Sequence, residues 1–108
     1  MAAGMPEGMA IERVWVVETT YSPDVEERRP LVRPEHLGRI AELRDAGVII
    51  DAGAFADMSG SLIVLRASSE EEALAVIQAD VYFREGVWNS WRIRALGRVV
   101  RTGELTEG

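Results

Sequence analysis

His36 is the only histidine in the chain and its readiest general base, because the unperturbed pKa of imidazole, about 6.5, lies closest to neutrality. It follows Pro34 by two residues. A proline there predicts the first turn of a helix, where the positive end of the dipole disfavours an imidazolium and keeps the ring neutral. Asp80 stands at the end of another helix-forming stretch, where the negative pole makes a carboxylate unfavourable, and local misfits of this kind collect at functional sites. Brought together, the two would form a base and its orienting partner, suited to proton transfer. Each also has an ordinary reading: His36 as a structural histidine hydrogen-bonded at a helix start, Asp80 as an Asx turn.

Other residues fit around that pair. Arg33 offers a forked donor for an anionic oxygen, although an arginine more often forms a surface ion pair, here with Glu26, Glu27 or Glu35. Gly53, between Ala52 and Ala54, either lets a ligand approach a strand closely or marks a β-bulge. Tyr82, Phe83, Trp88 and Trp91 either wall an apolar pocket or fill a core or dimer interface. Several chemistries are excluded by inventory. The chain has no cysteine, so disulfides, zinc–thiolate sites and thiol nucleophiles are ruled out. One histidine without a recurring carboxylate–histidine spacing gives a metal too few ligands. Residues 57–61 form a turn rather than a Gly-x-Ser-x-Gly elbow, and no glycine-rich phosphate loop follows a strand. No cofactor and no metal are expected.

The elements that must position these residues can be read in turn. Residues 11–18, rich in β-branched and aromatic side chains, predict a strand. Residues 25–30 read as a loop or short helical turn ended by Pro30, and 34–46 as a helix stopped by Gly47. At about 100° per residue that helix collects Leu37, Ile40, Ala41 and Leu43 on one arc, with His36 among them. Residues 48–57 and 61–67 predict a hairpin. Ser69 with Glu72 forms a capping box for a helix over 70–78, its Ala73, Leu74, Val76 and Ile77 inward. Residues 81–86 predict one helical turn, and 88–99 a last strand. No internal repeat is present.

The order β-α-β-β-α-β is that of a ferredoxin-like α+β fold with an antiparallel sheet and both helices on one face. Such a sheet should alternate apolar and polar residues. The runs 14–17, 48–50 and 62–65 are instead apolar at both parities. Two helices cover one face, so the other is expected to meet a second copy about a two-fold axis.

The 108 residues suffice for one domain, over residues 11–100, with flexible tails at 1–10 and 101–108. A net charge of −6 opposes attraction to phosphate backbones, so nucleic acid is not an expected partner. No window approaches the roughly 20 apolar residues of a membrane span, and the N-terminus lacks the basic start and apolar run of a signal peptide. A cytoplasmic setting is expected.

Three runs carry a family resemblance: Arg33-Pro34-Glu35-His36-Leu37, then Ala46-Gly47-Val48-Ile49-Ile50-Asp51-Ala52-Gly53, then Asp80-Val81-Tyr82-Phe83-Arg84-Glu85-Gly86-Val87. Their order resembles the YCII-related family, whose pattern has Arg-x-x-His-Leu, a second strand ending in Ala-Gly, and an aspartate-proline-aromatic segment followed by glycine. The resemblance spans residues 14–95. It implies a dimeric α/β barrel and an active-site His–Asp pair that falls on His36 and Asp80, with Arg33 at the family arginine. Val81 departs from the pattern, standing where the family usually has proline. The expectation is an enzyme of the lyase or isomerase type, moving a proton on a small oxygenated, cyclic or aromatic compound, with Arg33, Gly53, Tyr82 and Trp88 around the substrate. The alternatives are a non-catalytic dimeric module for small-ligand binding or regulation, and a structural dimer in which both residues are satisfied internally.

Overall fold

Runs of β-branched and aromatic residues become strands because they suit a pleated, packed surface. In the computed structural model, which describes residues 4–105, the chain forms β1 (Met9–Tyr21), α1 (Val25–Asp45), β2 (Ile49–Ala54), β3 (Gly60–Leu65), α2 (Glu70–Gln78), α3 (Val81–Arg84) and β4 (Trp88–Arg101). The sheet order is β2-β3-β1-β4, and every neighbouring pair is antiparallel. This is the expected ferredoxin-like α+β arrangement.

The core lies between the helices and one sheet face. Val17, Ile49, Ile63 and Leu65 from the strands meet Val25 of α1, Ala73 and Ile77 of α2, and Val81 and Tyr82 of α3. The pleat sends Val16, Leu62 and Val64 to the opposite face, where Val16 lies across from Val64. All three are half-buried, and Leu96 beside them is 42% exposed. Charged pairs flank this apolar strip, Arg94 with Glu18, and Glu12 with both Arg66 and Arg98. The Arg66 hydrogen bond, followed by its charge and that of Arg98, holds the Glu12 carboxyl below its ordinary value.

α1 differs from the expected helix over 34–46. It runs 21 residues from Val25 and contains both Pro30 and Pro34. Each proline removes one backbone donor, leaving the carbonyls of Glu26 and Pro30 without their usual helical partners. Positions 26, 30 and 34 recur every four residues on the solvent side, where water serves those carbonyls, and all three residues are exposed. The expected apolar arc shifts accordingly. Leu37 is 47% exposed and borders the cleft beside His36, Ala41 is outside, and Val32, His36, Ile40 and Leu43 turn inward.

The other elements lie close to expectation. Ser69 caps α2 by accepting the Glu72 N–H at 3.1 Å. β2 and β3 are shorter than read, since residues 55–59 form the connecting turn, closed by a Phe55 N–H to Gly60 carbonyl bond of 2.9 Å. At Gly60 a Cβ would lie 1.8 Å from the Thr19 carbonyl oxygen, so only glycine permits this crossing of β3 and β1. The tails expected at 1–10 and 101–108 lie partly outside the described residues; inside them, β1 begins at Met9 and β4 ends at Arg101. β4 forms one sheet edge and carries Arg92, Arg94, Arg98 and Arg101. No helix among the described residues is long and apolar enough to cross a membrane.

Candidate active site

The inward stripe of α1 reads Val25, Arg29, Val32, His36, Ile40, Leu43, at the three-to-four residue spacing that keeps side chains on one helix face. Arg39 joins it between His36 and Leu43. Three charged or titratable residues therefore occupy a stripe that packing alone would make apolar. His36 sits well inside the helix, not in its first turn, so the dipole argument for a neutral ring does not apply.

Asp80 also has a different setting from the one read in sequence. It is the N-cap of α3, where its Oδ1 accepts the Tyr82 N–H at 2.8 Å, so the carboxylate meets backbone donors rather than the negative end of α2. The Asx-turn reading holds. The same Oδ1 lies 2.8 Å from His36 Nδ1, while Oδ2 accepts from Arg39 Nη1 at 3.1 Å. A second Arg39 nitrogen, Nη2, donates to the Val76 carbonyl at 2.8 Å and fixes the guanidinium between α1 and α2. Asp80 is 0% exposed. Burial pushes its carboxyl up, but the hydrogen bonds from His36 and the Tyr82 N–H, with the charges of His36 and Arg39, outweigh this and hold it below its ordinary value of 3.8.

An ionised Asp80 can only accept, so Nδ1 of His36 carries the proton of that bond, and in the neutral ring the lone pair is on Nε2. The imidazole stacks on the Tyr82 ring with centroids 3.6 Å apart and planes 7° from parallel. Trp88 meets both rings edge-on, at 5.7 Å from each. Hydrogen bond, stack and edge together leave the imidazole one orientation.

His36 and Tyr82 line a cavity of about 240 Å³, below the roughly 300–1,000 Å³ of sites for drug-sized ligands. Arg33 and Gly53 line it as well. Arg33 is exposed and has no carboxylate partner among the described residues; Glu35, one of the three alternatives, pairs with Arg84 at 2.9 Å instead. Gly53 opens onto the cavity, and the irregular pairing of β2 lies between Ile49 and Asp51, which places the bulge elsewhere. Trp88 does not line the cavity: it is 3% exposed and packs behind the His36–Tyr82 stack, so the substrate contact expected of it is replaced by a supporting one. Phe83 and Trp91 pack on each other at 4.7 Å, away from the cavity.

Arg29, Arg39 and Tyr21 were missed in the sequence. Arg29 and Tyr21 line the cavity, and the Arg29 guanidinium lies 5.8 Å from the Tyr21 ring centre. Burial raises the phenols of Tyr21 and Tyr82 above their ordinary value of 10.0, with the Arg29 charge opposing. The signal for the arginines was present: extending α1 back to Val25 places Arg29 two turns before His36 and Arg39 one turn after it. Among the described residues no cluster of three metal-ligating side chains forms.

Known proteins fit this picture. The protein named YciI from Escherichia coli is 29% identical over 96 residues, covering 80% of this chain and 98% of its own length, and the YciI of Shigella flexneri matches equally. In structure the chain is similar to the 5-chloro-2-hydroxyhydroquinone dehydrochlorinase TftG of Burkholderia phenoliruptrix, solved in complex with 2,5-dihydroxybenzoquinone. That likeness has a TM-score of 0.66 at 18% identity and covers 75% of this chain and 90% of TftG. The Pseudomonas aeruginosa protein PA3566 is more distant, with a TM-score of 0.52 at 13% identity, over 86% of this chain and 98% of the other. The profile of the YCII-related domain matches residues 14–96, and the chain belongs to the YCII-related family.

Proposed function

We propose that this protein is a cofactor-independent enzyme of the lyase or isomerase type, in which His36 Nε2 removes a proton from a small oxygenated compound and Asp80 orients and stabilises the ring. The observation that carries this reading is the 2.8 Å contact between His36 Nδ1 and a fully buried, ionised Asp80, which leaves the opposite nitrogen basic beside a cavity. As Nε2 takes up a proton the imidazolium forms against the Asp80 carboxylate, which offsets its charge. Arg33, at the cavity wall, anchors an anionic group of the substrate. The cavity volume suits a single ring or a short chain, and TftG, of the same fold, is named for a chlorinated hydroxyhydroquinone.

The working form in this proposal is a homodimer joined through the sheet face that carries Val16, Leu62 and Val64. Their half-burial leaves apolar area for a partner, which would help close the cavity to water.

The second reading, a non-catalytic ligand-binding or regulatory dimer, is favoured by the unpaired arginine at the cavity, since anion binding needs no base. Replacing His36 by glutamine separates the two. A panel of small hydroxylated aromatics and quinones is screened by thermal stabilisation and by loss of absorbance. Enzyme function predicts that His36→Gln lowers turnover about 10²–10⁴-fold while stabilisation persists. If the wild type stabilises on a compound and never transforms any, the binding module stands.

A further inference from the structure

Two polar atoms of the buried interior make no well-formed hydrogen bond and belong to residues of the same cavity wall, Tyr82 Oη and Arg29 Nε, with the Arg29 guanidinium close enough to the Tyr82 phenol to oppose the effect of burial on it. Tyr82 is 1% exposed, and an orphaned hydroxyl at that depth is costly unless something supplies its partner. Arg29 has no carboxylate partner among the described residues, in a chain whose net charge is −6 and where acidic side chains are plentiful. No aspartate or glutamate lines the cavity, whereas Arg29, Arg33 and His36 all do. A cationic, carboxylate-free recess in an acidic protein selects anions.

We infer that Arg29 and Tyr82 form an oxyanion subsite facing the same cavity as His36, and that the substrate is a small enolisable carbonyl or phenolic compound whose oxygen takes up negative charge there. This rests on the proton-transfer reading and supplies its electrophilic half. When His36 Nε2 takes a proton from carbon next to a carbonyl, the C–H bond breaks and its electron pair forms the C=C bond. The carbonyl π pair moves to oxygen, where the Arg29 guanidinium and the Tyr82 hydroxyl donate to it. From a phenol, the O–H bond breaks and the pair remains on oxygen. In either case no oxidant or co-reactant is required. The placement is economical, because the Tyr82 ring that stacks under the base carries the hydroxyl that meets the product of its action. Donors held in place before charge develops need no reorganisation as it forms.

The probe is p-nitrophenol, whose colour reports its ionisation. At a pH where half of the free compound is ionised, binding to the wild-type chain should raise the phenolate absorbance. Arg29→Gln should weaken phenolate binding by about tenfold or more, as expected for a lost charge-assisted hydrogen bond, and Tyr82→Phe by about fivefold with the stack retained. Arg29→Lys, which keeps the charge and loses the fork, should fall between, and unfolding midpoints verify that each variant is folded. Binding in the neutral form, absence of binding at millimolar concentration, or equal affinity in folded Arg29→Gln and Tyr82→Phe overturns the subsite. His36→Gln distinguishes the two readings. It should still bind the phenolate, and if it does so with turnover of a panel compound unchanged, the base is refuted while the subsite remains.

Discussion

α1 and α2 cover the same sheet face and are built on different terms. α2 is nine residues long, capped by Ser69, with Ala73 and Ile77 fully inside and Leu74 and Val76 beside them. Nothing polar on its inner side asks for a partner. α1 is more than twice as long, yet Val25 is its one fully buried residue, and its inner stripe includes Arg29, His36 and Arg39. The short helix contributes apolar burial. The long one gives up burial to hold an imidazole and a guanidinium against Asp80. Apolar packing and the candidate site thus sit on separate helices, and substitutions on the two should separate accordingly.

The largest effect is expected where the helices meet. Asp80→Ala removes the acceptor shared by His36, Arg39 and the Tyr82 N–H, and should cost about 3–5 kcal/mol in chemical denaturation, as for breaking a buried ion pair, together with all turnover. Its pH signature follows from the lowered carboxyl. The stability Asp80 contributes is fully present above its ordinary 3.8 and lost as pH falls through the lower folded value, so the variant should lose that part of the acid limb. Ile77→Ala on α2 should cost about 2–5 kcal/mol by cavity formation. Its p-nitrophenol affinity should stay at the wild-type level; a large drop would mean that the two helices are not independent. His36→Gln should cost about 1 kcal/mol of stability, one hydrogen bond's worth, while turnover falls about 10²–10⁴-fold. At the cavity rim of α1, Leu37→Ser should change stability by no more than about 0.5 kcal/mol, because the side chain is 47% exposed. A larger loss would restore Leu37 to the packed arc on which the sequence placed it.

The contrast also explains what was legible beforehand. Strand composition, the Ser69 cap and the order of elements are local signals, and the fold followed from them. The pairing of His36 with Asp80 emerged from residue chemistry and family resemblance, and the two meet in space as expected. The supporting arguments were less sound. Pro30 reads as a helix stop and Pro34 as a helix start, but both positions share the solvent side of α1, where a missing donor costs little, so the helix runs through both. That reading hid the phase linking Arg29, His36 and Arg39. Asp80 reads as the end of α2, although the helical turn expected at 81–86 already makes it the cap of the next element. Trp88 could not be told from a pocket residue by type alone, since aromatic side chains serve both settings.

β4 is an edge strand of 14 residues, long enough to template another chain through its free backbone groups. Its four arginines bear on that hazard. All twelve basic residues of the chain are arginines, and a third of them lie along this one strand or at its end. Two such edges brought together would align like charges, of which Arg92 and Arg101 have no carboxylate partner among the described residues. The opposite edge, β2, offers only six residues. The sheet is therefore protected against growth into filaments at both ends, by charge on one side and by brevity on the other. Neutralising the β4 arginines would remove the charge barrier from that edge.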